Sequence, residues 1–336
     1  MNDKIKILVI GCNGQLGHCI KDISEYYLDF KFIFDITYVD YDVLDITNYK
    51  AIDEYLSNHK FDYVVNCAAY TNVPKAEHDV DNAYLVNANG PRMIAEVCKR
   101  LNVKFIHIST DYVYDKNGLI DEYDKTCPLN AYGRTKLAGD VSVMMKNPDA
   151  IILRTAWLYS CYGKNFVKTI IHNLMKDEKD LQVVYDQIGS PTCANSLAEA
   201  ILTIIKNTNN KENEWVGGVY NYTDEGFCSW YDFANMIDEY YYYETKELAG
   251  WPELGWPEQD AINVHNFNHA IIPISSAEFD KLFSNDVKRP SISMLNKSKI
   301  KKQFGVKTYH WALSLSQMIH DFVKYRKKYE PELYLN

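Results

Sequence analysis

Ile5-Lys6-Ile7-Leu8-Val9-Ile10-Gly11-Cys12-Asn13-Gly14-Gln15-Leu16-Gly17 is the stretch on which the reading of this 336-residue chain turns. The run from Ile5 to Ile10 is short and almost wholly apolar, the pattern of a strand buried on both faces of a parallel sheet. It ends in Gly-x-x-Gly-x-x-Gly and enters a helix predicted from Leu16 to about Tyr27. Gly11 permits a tight turn, Gly14 lets a pyrophosphate approach the backbone, and Gly17 lets helix and strand pack closely. Asn13, Gln15 and Leu16 then belong to a helix start whose amides face the phosphates. A glycine-rich turn without function is the alternative. Its place directly after an apolar strand favours nucleotide binding.

Outward from that turn, strand-like and helix-like stretches alternate. A second strand from about Phe32 to Val39 ends at Asp40, an acceptor for adenosine ribose hydroxyls that would repel a 2'-phosphate. Tyr41 and Asp42 follow instead of a cation, which leans toward NADH over NADPH. Leu44-Asp45-Ile46-Thr47 is expected to start a helix, with Asp45 as its cap or an adenine contact. The run Tyr63 to Thr71 is a strand ending in small residues, Ala68 and Ala69 among them, which leave room for a ligand. A helix from about Asp81 to Leu101 carries Asn87 near its middle, and Val103 to Thr110 is another buried strand. This alternation predicts an α/β fold with a Rossmann-type, doubly wound parallel sheet.

Chemistry gathers after that last strand. Ser109-Thr110-Asp111 precedes Asn130-Ala131-Tyr132-Gly133-Arg134-Thr135-Lys136. On a helix Tyr132 and Lys136 lie on one face. An ammonium beside a phenol is expected to lower its pKa and make it a proton donor for carbonyl reduction. With 27 Tyr in the chain, such a pair alone carries little weight. Its weight comes from Thr110, which the topology brings to the same sheet edge beside the glycine turn.

Composition narrows the classes. A formal charge of -9 argues against a general nucleic-acid binder. No apolar run is long enough to span a bilayer, and the N-terminus runs straight into a strand with no signal peptide. The 8 Cys lack any Cys-x-x-Cys pair and read as reduced thiols of a cytoplasmic protein, with packing roles for Cys12, Cys67 and Cys161. The 9 His show no metal-ligand spacing, so metal catalysis has no support.

These stretches resemble the extended short-chain dehydrogenases/reductases, and among them the dTDP-4-dehydrorhamnose reductase family. Further matches are Leu153-Arg154-Thr155-Ala156-Trp157, Asp186-Gln187-Ile188-Gly189-Ser190-Pro191-Thr192 and Lys288-Arg289-Pro290, so the resemblance spans nearly the whole chain. It implies hydride delivery from NADPH or NADH to C4 of dTDP-4-dehydro-6-deoxy-L-mannose, giving dTDP-L-rhamnose. It makes Tyr132 the proton donor, Lys136 the ribose ligand and Thr110 a hydrogen-bond partner of the sugar oxygen. It also implies cofactor contacts from Ile46, Ala68, Ala69, Tyr70 and Asn87, and substrate contacts from Thr71, Val73, Asp111, Tyr112, Trp157, Asn165 and Arg289.

Residues 1–150 are expected to form the dinucleotide-binding domain, and 151–336 a smaller, mainly substrate-binding α/β domain with segments returning to the first. Ile151 to Leu158 is predicted as a strand with Trp157 near its end, and Asn165 is expected to begin a helix reaching Lys176. A helix is expected around Leu197 to Ile205, and a final one from about Trp311 to Tyr329. Three features depart from the family pattern. Pro74 stands where aspartate is more common, Tyr240 to His269 reads as an insertion, and Cys19 occupies a position where relatives carry a metal-binding glutamate at a dimer interface. The expectation is therefore no metal, and a monomer or homodimer. Two rivals share the pattern: a nucleotide-sugar epimerase or dehydratase that retains NAD, and a non-catalytic binding subunit.

Overall fold

In the computed structural model, which describes residues 4–176, 180–249, 270–283 and 287–330, the opening apolar run is the strand β1 (Ile5–Ile10). Only Lys6 of its six side chains is exposed, as befits a strand covered on both faces. Beside it lie β2 (Phe34–Val39) and β3 (Tyr63–Asn66), followed outward by β4 (Lys104–Thr110), β5 (Ile151–Thr155) and β6 (Gly218–Asn221). The order β6-β5-β4-β3-β1-β2 is parallel throughout. Strand order reverses between β1 and β3, so the crevice for a ligand opens at the carboxyl ends of these two strands.

Helices cover both faces. On one lie α1 (Gln15–Tyr26) and α5 (Ala194–Asn209); on the other, α2 (Tyr49–Asn58), α3 (Gly90–Leu101) and α4 (Ala131–Lys146). The second face is filled by Leu8, Ile10, Leu44, Ile52, Val64 and Phe105, among others. Each such side chain, fully buried, contributes roughly 1.5–3 kcal/mol. Burial of this size lets the sheet tolerate the buried polar groups along its edge, Thr110, Asp111 and Lys136 among them.

Two local readings are corrected. Leu44-Asp45-Ile46-Thr47 does not open a helix: Asp45 closes its own turn, accepting from the Thr47 amide and hydroxyl at 2.8 and 2.7 Å. The helix starts at Tyr49, with Asn48 as its cap. The strand expected from Ile151 to Leu158 stops at Thr155, because Trp157 has φ 48°, a left-handed conformation that no strand continues through. The helix foreseen around Asn87 contains a π turn, Leu85–Asn89, leading directly into α3. Such turns recur at functional sites because they swing one side chain out of helical register.

The chain divides into two compact units. The first comprises Met1–Ala156, Ala194–Thr223 and Val287–Thr308, so two later segments belong with the N-terminal sheet. The second comprises Trp157–Cys193, Asp224–Asp286 and Tyr309–Asn336. Within it Leu158–Tyr159 pairs with Thr192–Cys193, and Leu181–Val184 with Ile271–Ile274, both in parallel. The helices Phe166–Lys176, Trp230–Ala249 and Trp311–Lys324 enclose a core that includes Val167, Phe233, Tyr241, Leu315 and Phe322. The terminal helix breaks at Tyr325, where a short second helix, Arg326–Tyr329, begins.

Of the expected insertion, Tyr240 to Tyr243 continue the helix Trp230–Ala249, with Tyr241 buried and Tyr243 exposed. The helix runs on to Ala249, and 250–269 lie outside the described residues. Among the described residues no helix is long and apolar enough to cross a membrane.

α4 approaches the π turn so closely that a Cβ on Gly139 would lie 2.1 Å from the Asn87 carbonyl oxygen. Gly139→Ala should therefore destabilise the protein by about 1–3 kcal/mol, the usual range for overpacking. Urea unfolding measures this, and an unchanged midpoint would mean that the crossing has slack.

Candidate active site

The glycine turn has the shape its sequence requires. Gly11 sits at φ 80°, and a Cβ there would come within 2.6 Å of the Ala68 amide nitrogen. On Gly17 a Cβ would lie 2.5 Å from the Cys12 Cα, so only glycine allows α1 to rest against the turn. Gly14 differs: a Cβ there would meet only the Gly11 carbonyl oxygen within 4 Å, at 3.3 Å. It is the N-cap of α1, and no side chain caps that end. An uncapped helix start behind an open glycine is a cradle that fits a pyrophosphate. Asn13 lies in the turn itself, and Gln15 and Leu16 open α1, with Leu16 buried.

Asp40, just past β2, ties the cradle down. Its carboxylate accepts from the Asn13 amide and from the Tyr41 amide, each at 2.8 Å. The negative charge thus sits against the glycine turn. Ile46 lies across from α3, where a Cβ on Gly90 would meet its side chain at 2.9 Å.

The carboxyl end of β3 is held by two buried asparagines. Asn66 accepts from the Ala68 amide at 3.1 Å, and its side-chain nitrogen lies 3.3 Å from His107 Nδ1. Asn87, delivered by the π turn, accepts from the Tyr70 amide at 2.8 Å and donates to the Tyr70 carbonyl at 3.0 Å. It also donates to Thr135 Oγ1 at 3.1 Å. One side chain thereby joins the segment Ala68, Ala69 and Tyr70 to the helix carrying Lys136. Thr71 follows, and Val73 opens a short helix capped by Asn72, with Pro74 in its first turn, where a missing N–H costs nothing.

Thr110 ends β4, and Asn130 caps α4 by accepting from the Gly133 amide at 2.8 Å. The Thr110 hydroxyl donates to Asp111 Oδ1 at 2.9 Å and accepts from the Tyr112 amide at 3.2 Å. Tyr132 is hydrogen-bonded to Thr110, and the Tyr112 and Tyr132 rings meet edge to face at 5.6 Å. Lys136 is buried, with Nζ donating to the Ile108 carbonyl at 2.6 Å. Thr110, Tyr132 and Lys136 therefore converge on the carboxyl end of β4.

The electrostatics are set by burial. Close packing pushes the Tyr132 phenol above the ordinary tyrosine range, and Asp111 and Tyr112 push the same way; the Thr110 hydrogen bond opposes them. This corrects the expectation that Lys136 would bring it down. Lys136 is itself lowered to about 8 by desolvation, which Asp140 opposes. Asp111 is raised to about 6 by burial, against the hydrogen bonds from Ser293 and Thr110. Burial and Asp111 raise Tyr112 to about 12, while the Arg289 charge and hydrogen bond oppose them.

The remaining expected residues fall in two groups. Asp111 is buried, one oxygen holding Thr110 and the other accepting from Ser293 Oγ at 2.5 Å. Arg289 is hydrogen-bonded to Tyr112. Trp157 and Asn165 belong to the second unit. The Trp157 indole stacks on Trp230 with ring centroids 3.5 Å apart, over Gly189, where a Cβ would lie within 2.5 Å of it. Asn165 caps its helix, accepting from the Lys168 amide at 3.1 Å and donating to the Ser160 carbonyl at 2.8 Å. Ser293 and Asp140 carry no motif that would have singled them out, whereas Asn66 opens the stretch to Thr71 that matches the family.

A glycine cradle, an acidic strand end and a Thr-Tyr-Lys set on one edge of a doubly wound sheet define a Rossmann-type protein of the extended short-chain dehydrogenase/reductase class. The family described as RmlD substrate binding domain matches residues 5–324. A dTDP-4-dehydrorhamnose reductase of Aggregatibacter actinomycetemcomitans is 34% identical over 315 residues, covering 93% of this chain and 98% of that protein. The crystal structure of a dTDP-4-dehydrorhamnose reductase from Clostridium acetobutylicum superposes with a TM-score of 0.78 at 35% identity, over 95% of this chain and 100% of that one. A Bacillus anthracis dTDP-4-dehydrorhamnose reductase in complex with NADP gives 0.77 at 30% identity, over 94% and 99%. The chain belongs to the dTDP-4-dehydrorhamnose reductase family.

Asp111 offers a test of the site's electrostatics. Its folded value of about 6 lies above the ordinary ~3.9 of an unfolded aspartate. Its contribution to stability is thus fully present below the unfolded value and lost as pH rises through about 6. Between pH 4.5 and 7 the urea midpoint of the wild type should fall further than that of Asp111→Asn. Parallel pH dependences would overturn the assignment.

Proposed function

We propose that this protein reduces the C4 ketone of dTDP-4-dehydro-6-deoxy-L-mannose to dTDP-L-rhamnose, consuming NADH or NADPH. The observation that carries the reading is the meeting of Thr110, Tyr132 and Lys136 at one sheet edge, beside an open pyrophosphate cradle, in a chain of this family. A reduced nicotinamide, when bound, supplies hydride to the carbonyl carbon.

The chain's own residues do the rest. Gly14, left open by the close packing at Gly11 and Gly17, would let the diphosphate rest against the start of α1. Asp40 takes the adenosine ribose hydroxyls, and its charge disfavours a 2'-phosphate, so the reading favours NADH over NADPH. Lys136 takes the nicotinamide ribose. Asn87 keeps the Ala68 to Tyr70 wall in register with α4.

Tyr132 donates the proton that completes the alcohol. Burial that raises its pKa keeps the phenol protonated until a stronger base, the developing alkoxide, is beside it. Afterwards the Thr110 hydrogen bond favours the phenolate. To orient the carbonyl oxygen, the Thr110 hydroxyl would turn its one proton from Asp111 to the substrate, while Ser293 keeps Asp111 in place. Asp111 acts from behind the site in this account, and Tyr112 with Arg289 forms the wall on the substrate side.

The purified protein should oxidise reduced nicotinamide only when the keto sugar, made in situ, is present, with NADH preferred. Tyr132→Phe should lower turnover by about 10²–10⁴-fold, the usual share of general-acid catalysis. Near-normal turnover in that variant would remove Tyr132 from the proposed role, and cofactor that stays bound and is recycled would favour an epimerase.

The same geometry sets a pH dependence. Lys136 is charged below about 8 and neutral above it, so kcat/KM should decline on the alkaline side of that value. A rate profile that is flat to pH 9.5 would contradict the role given to the ammonium.

A further inference from the structure

Near Lys136, on α4 and the neighbouring β5, lies a second group of charges inside the fold. Asp140 is one helical turn along α4 from Lys136, on the same face. It is 2% exposed. Its Oδ2 accepts from Arg154 Nε at 2.9 Å, and Arg154 is equally buried on the neighbouring β5. Arg154 also donates to the Tyr114 hydroxyl at 2.5 Å and lies 4.9 Å over that ring. Among the described residues Asp140 Oδ1 has no hydrogen-bond partner. A buried carboxylate with one oxygen unsatisfied is costly, and a structural pair alone would gain from filling it.

The surroundings of Lys136 leave few other sources of charge. On β4, His107 is held neutral by burial and by Lys136 itself, and its Nε2 has no partner among the described residues. Tyr132 on α4 and Tyr112 on the turn after β4 are kept protonated. Asp111, on that same turn, is committed to the hydroxyls of Thr110 and Ser293.

We propose that Asp140 is a positioning residue for Lys136: its buried carboxylate holds the lysine nitrogen in the ammonium form, and Arg154 sets how much of that carboxylate's field reaches the lysine. Desolvation alone would strip the proton from a buried lysine, and the carboxylate opposes that loss. Arg154 takes up part of the same field through one oxygen, while the other stays unpaired. The inference rests on the role proposed for Lys136 in binding the cofactor, although the test below does not depend on turnover.

The full-length protein, labelled with ¹³C and ¹⁵N in its lysine side chains, would be titrated by NMR, with Lys136 assigned by its loss in Lys136→Met. Asp140→Asn should lower the Lys136 midpoint by about one pH unit, as removal of a nearby opposite charge does. Arg154→Met should raise it. A merely structural pair would shift neither midpoint, or shift both the same way. Since Asp140→Asn leaves Arg154 alone in the interior, the double variant Asp140→Asn/Arg154→Met keeps the test alive if the single variant does not fold. Its midpoint should also lie below that of the wild type. An unmoved midpoint in either folded variant lacking Asp140, or movement of both single variants in one direction, overturns the proposal. Midpoints that move as expected in a protein that reduces no keto sugar would uphold the charge coupling and sink the reductase reading alone.

Discussion

Two backbone contacts fix the position of α4, and most of the site depends on them. A Cβ at Gly133 would lie 2.3 Å from the Tyr112 carbonyl oxygen, and one at Gly139 would lie 2.1 Å from that of Asn87. Glycine at both places lets the helix come down onto the turn after β4 at one end and onto the π turn at the other. No larger residue could close either gap without pushing the helix outward. Lys136 stands between these two contacts, and Tyr132 directly precedes the first. Their distance from the sheet edge is therefore set by hard-core repulsion, which changes steeply with distance, and not by softer apolar packing.

That close approach determines the electrostatics as well. Drawing α4 onto the sheet buries Lys136 and crowds Tyr132, and burial moves both away from their charged forms. What answers this for Lys136 is itself buried, Asp140 with Arg154, whereas Asp111 with its two hydroxyl partners pushes Tyr132 the same way as burial does. Such an arrangement holds only if every member stays in place, since a half-satisfied polar network in a low dielectric costs more than an apolar core. The surrounding sheet, with Leu8, Val64 and Ile152 buried beneath it, supplies that rigidity.

Much of this was legible in the order of residues. Short apolar runs ending in Gly11, Asp40, Ala68 and Thr110 state a parallel sheet and its functional edge, because period and burial leave few alternatives. Where reading failed, the reason was local geometry or distant pairing. Asp45 and Thr47 satisfy each other within one turn, so an apparent helix start becomes a loop. The left-handed backbone at Trp157 has no signature in a tryptophan. The direction of the Tyr132 shift depends on how tightly it is packed, which the spacing to Lys136 does not state. Ser293 could not be found at all, since nothing near it in the chain points to Asp111.

That last pairing bears on how the protein is made. The hydrogen bond between Ser293 and Asp111 joins residues 182 positions apart, and Asn130 similarly donates to the Lys288 carbonyl 158 positions later. A ribosome would deliver β1 through β5 long before either partner emerges, so a nascent sheet can assemble while Asp111 still lacks its second hydroxyl. The strands β1 to β5 are complete by residue 155, yet the buried carboxyl at their edge is satisfied only once translation has passed residue 293. Closing loops of that length is slow compared with pairing neighbouring strands. Maturation of the site should thus lag behind collapse of the sheet, with the last quarter of the chain setting the moment at which the edge becomes ordered.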